Sequence, residues 1–418
     1  MTKNQAVPAR RLAPFVLLEL ASLTSVASGS MVFILMPWIA IQLTHQASAA
    51  GLLITITSIP GLLLAPVVGS VIDKLGRRRS AQWSEFLTAI VNASITVAAL
   101  AWTMNLPLLT AIAVIRSVVG WGGGSARKAL IPDVAHAGHL SLERANSIHE
   151  SIFAAGFALG PALGALCIKW FGIYNSFAVV AAVGAVSGIL MLFIRVVEHH
   201  EPKDESDSGN FLKFAVQGFK ILFETPSVLI VMITFLSLAV IYLPTEMVVL
   251  PTYYKSLSDP AGLGLLISVM AAASTVGSLL FEKLVKVLSF SKLLRIAVLG
   301  VGITMIPMSL LPAQWVMLGF GAILGFVWGP LGPLLNTVIQ RKVPANKRGR
   351  VFSLEMVIWS GGPMSSMALV GWAVDTFGVH IVYPIIAVLV LVSGIFVASS
   401  RHLVELNVAE YTDASEPL

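Results

Sequence analysis

Charge is what this chain has least of. Lysine, arginine, aspartate and glutamate make up 11% of its 418 residues, against 56% hydrophobic ones. A soluble globular chain carries about 25% charged residues. So few polar groups could not cover an apolar core against water, which excludes the soluble classes and requires an exterior that is itself apolar. Cysteine is nearly absent: Cys167 stands alone in an apolar run, so no intramolecular disulfide can form. Ligand clusters are missing too. His136 and His139 lie three positions apart on a polar stretch, too few for a metal site. No nucleophile–base pair emerges, which argues against an enzyme. The glycine run 120–124 (GWGGG) lacks the Gly-Lys-Ser/Thr ending of a phosphate loop and falls inside an apolar run. It reads as close helix packing, leaving an ion gradient rather than ATP as the energy source, with no cofactor expected.

What the chain has in quantity is long apolar runs. A membrane-spanning helix needs about 20 mostly apolar residues. Such runs fall at 13–42, 49–72, 80–103, 107–126, 146–168, 174–196, 227–251, 262–285, 291–311, 315–338, 350–374 and 380–400. They are too long and continuous for the alternating strands of a barrel, so the expected fold is all-α with about twelve spans. The first, beginning at Leu12, is too long for a signal-peptide core and is expected to be retained.

The net charge of +6 is not a nucleic-acid signal, because the basic residues fall in short clusters between apolar runs. All 27 except Lys169, Lys255 and Arg116 lie in segments on one side if the N-terminus is inside. The positive-inside rule then puts both termini in the cytoplasm. The longest polar interruption divides the chain into bundles at 1–197 and 227–401, a linker at 198–226 and a tail at 402–418. Within the linker, Phe211, Phe214, Ala215, Phe219 and Leu222 share one helical face opposite Lys213, Gln217, Lys220 and Glu224. That segment is expected to lie on the inner membrane surface.

The halves echo each other. Gly69, Asp73 and Lys74 end the second span as Ser278, Glu282 and Lys283 end the eighth. Gly160-Pro161 running to Phe171-Gly172 matches Gly362-Pro363 running to Phe377-Gly378. Arg127, Lys128 and Pro132 match Arg341, Lys342 and Pro344. A duplicated six-helix unit around a midplane site is a secondary-transporter architecture.

Several residues carry chemistry in such a frame. Arg116 lies about ten residues from either end of its span, about 15 Å from each surface at 1.5 Å per residue. A charge at that depth must face a cavity or a partner. Glu19, Glu150 and Glu246 are candidate proton carriers; Glu85 and Glu355 are shallower, and Asp375 reads as an interfacial anchor. Gly156, Gly160 and Gly164 form one flat stripe at i, i+4 and i+8, with Pro161 bending the helix. Phe33, Met36, Trp38, Tyr242, Trp328 and Trp359 could line an apolar cavity, although lipid-facing packing accounts for such side chains equally well.

Three stretches resemble motifs of the major facilitator superfamily, specifically its twelve-helix drug:proton antiporters. Gly69-x3-Asp73-Lys74-x-Gly76-Arg77-Arg78-Arg79 matches motif A at every defining position. Arg116-x3-Gly120 resembles motif B, and Gly156-x3-Gly160-Pro161-x2-Gly164-Ala165 the core of motif C, with Ser147 where the fuller motif has glycine. Pro37-Trp38 and Ala129–Asp133 through Arg144–Asn146 resemble the macrolide-efflux and siderophore-exporter branch. The resemblance implies two six-helix bundles, an inner gate at Asp73, proton coupling through Arg116 and a sealed interface at the glycine stripe. It further implies proton-driven export of hydrophobic or amphipathic small molecules from the bacterial cytoplasmic membrane by a monomer surrounded by lipid. Export of a dedicated metabolite such as a siderophore or lipid, and proton-coupled uptake, are the alternatives.

Overall fold

The computed structural model describes residues 12–120, 122–140, 142–196, 222–343 and 345–407. They form helices joined by short turns, with no strand among the described residues. In the first half these are α1 (Ala13–Thr44), α2 (Ala47–Leu75), α3 (Arg77–Ala101), α4 (Leu106–Gly120), α5 (Gly123–Ala137) and α6 (Leu142–Phe193). In the second they are α7 (Pro226–Ser256), α8 (Pro260–Leu279), α9 (Phe281–Ser309), α10 (Gln314–Trp328), α11 (Leu331–Lys342), α12 (Ala345–Phe377) and α13 (Val379–Ser399).

Eight described stretches are long and apolar enough to cross a membrane by length and composition. One of them, in α6, divides at Gly172 into two crossings. With α2, the part of α9 beyond Ser289, and α12, the crossings come to about twelve, as the apolar runs predict. The fourth is longer than its apolar run suggests: α4 and α5 form one stretch, Leu106–Ala137, so Arg127 lies within a helix rather than in a loop. Most of the linker, including its amphipathic face from Phe211 to Phe219, lies outside the described residues.

The repeat has finer grain than two halves. Four helix pairs are joined by one residue of nearly the same conformation: Gly76 (φ 83°, ψ 153°), Gly172 (77°, 166°), Ser289 (62°, 161°) and Gly378 (81°, 158°). They join the second to the third span of every three-helix unit. This backbone region is open to glycine and strained for other residues, so Ser289 is the exception.

The glycine stripe packs α6 onto α1 within the first bundle. A Cβ at Gly160 would lie 1.9 Å from Ser30 Oγ, and one at Gly164 3.0 Å from the Met31 carbonyl. Ser30 Oγ donates to the Gly156 carbonyl at 3.0 Å across the same contact. The two bundles meet at the end of the molecule away from the chain termini. There a Cβ on Gly51 of α2 would lie 2.1 Å from the Met367 carbonyl of α12, and one on Gly264 of α8 2.3 Å from Ala165 Cβ of α6. The Ala162 N–H donates to Ser268 Oγ at 3.1 Å.

Candidate functional site

Between the bundles lies a cavity of about 450 Å³. α1 and α6 contribute Phe33, Phe153 and Phe157, the rings of Phe33 and Phe157 meeting edge-on at 6.1 Å. The second bundle contributes Tyr242, Trp328 and Trp359. Tyr242 and Trp328 lie 4.9 Å apart, and Trp328 and Trp359 6.3 Å apart. Two carboxylates, Glu150 and Glu246, complete the polar part of the wall. Met36 and Trp38 are not on this wall: both are buried in the core, and Trp38 lies beneath Lys255 Nζ at 4.8 Å.

The position of Glu246 follows from the irregularity of α7. Two five-residue π-turns, Leu238–Tyr242 and Thr245–Val249, flank Pro244, whose ring removes a backbone donor. The Tyr242 hydroxyl donates to Glu246 Oε1, joining the phenol and the carboxylate on the cavity wall.

The hydrogen-bond partner that the helices give Arg116 is an amide. Arg116 Nε donates to Asn92 Oδ1 of α3 at 3.0 Å. Each candidate carboxylate has a nearer partner: Glu19 has His149, Glu150 has Lys128 Nζ at 2.8 Å, and Glu246 has Tyr242. The buried guanidinium–carboxylate pair of this bundle is instead Arg127 with Glu85, to which Ser25 Oγ also donates at 2.8 Å. Adjacent residues on a helix point about 100° apart, so Arg127 turns inward to α3 while Lys128 stays exposed.

Three participants carried signals in the sequence that charge counting passes over. Asn92 is a lone amide inside an apolar run. His149 is an imidazole one residue before Glu150. Arg127 borders a run that continues to Ala137.

Motif A is described in part. Positions 61–74 are helical, but the surroundings of Gly69, Asp73 and Lys74 lie outside the described residues. Gly76 makes the corner between α2 and α3. Arg77 Nη1 donates to Asp133 Oδ2 at 3.2 Å and to the Ala129 carbonyl at 3.1 Å; Arg78 Nη1 donates to the Ile194 carbonyl at 2.9 Å. These arginines tie α3 to α5 and to the end of α6.

At the far end, contacts run between bundles. Ala47 and Ser48 open α2, where backbone N–H groups lack intrahelical partners. Asp375 of α12 accepts both, at 2.5 and 2.9 Å. It is thus more than an interfacial anchor. Lys255 Nζ, at the end of α7, donates to Gln42 Oε1 of α1 at 2.9 Å.

A family model described as Major Facilitator Superfamily matches residues 18–364 and 247–410. The chain belongs to that superfamily. Among its relatives, a protein of Mycolicibacterium fortuitum named multidrug efflux pump Tap is 27% identical over 400 residues, covering 95% of this chain and 98% of the relative. A Lactococcus lactis protein named as a homolog of the multi-drug resistance efflux pump PmrA is 25% identical, covering 77% and 78%. The crystal structure of the nucleoside transporter NupG superposes with a TM-score of 0.71 at 12% identity, over 92% of this chain and 98% of that one, a likeness of fold alone.

Proposed function

We propose that this chain exports hydrophobic or amphipathic small molecules across the bacterial cytoplasmic membrane by alternating access, driven by protons moving inward. The observation that carries this reading is the cavity between the bundles, with aromatic walls and the Glu246 carboxylate. Aromatic faces take up apolar surface with little specificity. A carboxylate against them suits a cationic centre, which the rings assist through their negative faces. Alternating access draws support from the contacts that join the bundles at one end: Asp375 on the opening of α2, Lys255 on Gln42, and the close approach at Gly51 and Gly264. In this reading that end is the outer one, both termini are cytoplasmic, and Asp73 belongs to the complementary inner gate. The relatives' names support efflux, and they match this chain over nearly its whole length. The protein acts as a monomer without cofactor, using Glu19, Glu150 or Glu246 to carry protons.

The test is transport of ethidium, a planar aromatic cation, in proteoliposomes with an acidic lumen. Antiport draws ethidium inward against its gradient as protons leave, and collapsing the pH gradient with a protonophore releases it. Ethidium that only equilibrates, with or without the pH gradient, refutes proton-driven export.

A further inference from the structure

The partners of the five carboxylates Glu19, Glu85, Glu150, Glu246 and Asp375 differ in kind. Glu85 is held by Arg127, and a guanidinium keeps its proton at any physiological pH. Glu150 faces Lys128 in an exposed pair, Glu246 a phenol, and Asp375 two backbone N–H groups. Glu19 alone among these five faces an imidazole, whose ring nitrogens can each take up or give away a proton. His149 Nδ1 lies 3.2 Å from both Glu19 oxygens, joining α1 to α6 across 130 residues of sequence. Both side chains are buried, 7% and 9% exposed.

We propose that Glu19 and His149 together are the proton-carrying site of the transport cycle, a reading that rests on proton-driven export. One proton converts the imidazole to imidazolium beside the carboxylate, taking the pair from a net charge of −1 to zero. A buried net charge is costly and a neutral pair much less so. The protonated pair therefore suits the packed α1–α6 contact, and release requires water to reach it. Among the described residues, charged groups on the neighbouring helices have partners of their own: Glu85 of α3 with Arg127 of α5, Arg77 of α3 with Asp133 of α5, and Arg116 of α4 with Asn92. On α6 itself, Arg144 has an interaction of its own, and Glu150 is taken by Lys128 of α5. His149 directly precedes Glu150 on the cavity wall, so a shift of α6 on substrate binding moves the proton site with it. Glu19 supplies the negative charge that draws the proton in, and His149 the ring nitrogen that shares it.

The experiment measures ethidium accumulation in acid-lumen proteoliposomes across a range of pH for wild type, Glu19→Gln and His149→Gln. Glu19→Gln should lower pH-driven accumulation at least tenfold. His149→Gln should move the half-maximal pH, because the proton must then bind the carboxylate alone rather than be shared with an imidazole nitrogen. A merely structural role for the histidine would lower accumulation without moving the profile. If either Gln variant fails to fold, Glu19→Asp decides: it keeps a carboxylate at a changed distance and should shift the profile while retaining drive. Variants with the wild-type profile and extent overturn this inference alone. A wild type that builds no ethidium gradient overturns the export reading and this inference with it.

Discussion

Removing the Asp375 carboxylate should open the far end of the molecule. In Asp375→Ala the Ala47 and Ser48 N–H groups lose their acceptor from the opposite bundle. Loss of an N-capping side chain costs about 1 kcal/mol, and loss of a negative charge at a helix N-terminus a further 0.3–1 kcal/mol or so. Solvent screening at the exposed Asp375 trims the charge contribution, leaving about 1–2 kcal/mol in all. Both contributions exist only while the bundles touch, so the whole difference falls on the equilibrium between closed and open far ends. At about 1.4 kcal/mol per factor of ten, the closed-to-open ratio should fall roughly 5- to 30-fold. The assay is labelling by a membrane-impermeant maleimide, with Cys167→Ala removing the single native thiol and Ser268→Cys as reporter. Ser268 accepts the Ala162 N–H across the bundle interface and is half-buried while the bundles are joined. Labelling from outside the cell should accelerate by the same 5- to 30-fold. An unchanged rate in correctly inserted protein would refute Asp375 as a cross-bundle latch.

Two further outcomes test the packing. Ser289→Gly should raise the apparent melting temperature of detergent-purified protein: relief of about 1–3 kcal/mol of backbone strain exceeds the 0.5–1 kcal/mol or so that glycine costs in chain entropy. Gly378→Ser should lower it, and a reversed order would refute the strain assignment. Gly160→Ala should destabilise by about 1–3 kcal/mol or more, read as lost monodisperse protein in fluorescence-detected size exclusion. Ser30→Ala should not rescue it, because the Ala27 carbonyl would remain 2.7 Å from the new Cβ.

Much of the fold was legible because it depends on local composition. Twenty apolar residues in a row have one solution in hydrocarbon, and the Gly-Pro and Phe-Gly echoes mark the duplicated corners. The site was legible residue by residue but not pair by pair. Arg116 announces itself by depth, yet its Asn92 contact depends on how α3 and α4 rotate against each other. Glu19 and His149 are separated by 130 residues, and Asp375 lies 328 residues beyond Ala47. No spacing rule reaches such distances. Phe33, Tyr242, Trp328 and Trp359 reach the cavity while Met36 and Trp38 do not, because composition says which residues can line a wall but not which way a helix turns them.

The one-residue corners bear on how this protein enters the membrane as it is made. A helix followed by a long polar loop can be released into lipid before the next begins. The helices meeting at Gly172 and Gly378 have no such pause: the rings of Trp170 and Phe171 meet edge-on at the first corner, and those of Trp372 and Phe377 at the second. Aromatic rings of this kind favour the headgroup level, while the backbone turns within a single residue. The second helix of each pair must therefore leave the insertion machinery together with the first, as a hairpin. An insertion fault in one helix should strand its mate, so that truncation after Phe171 or Phe377 yields a poorly anchored chain end rather than a stable shorter protein.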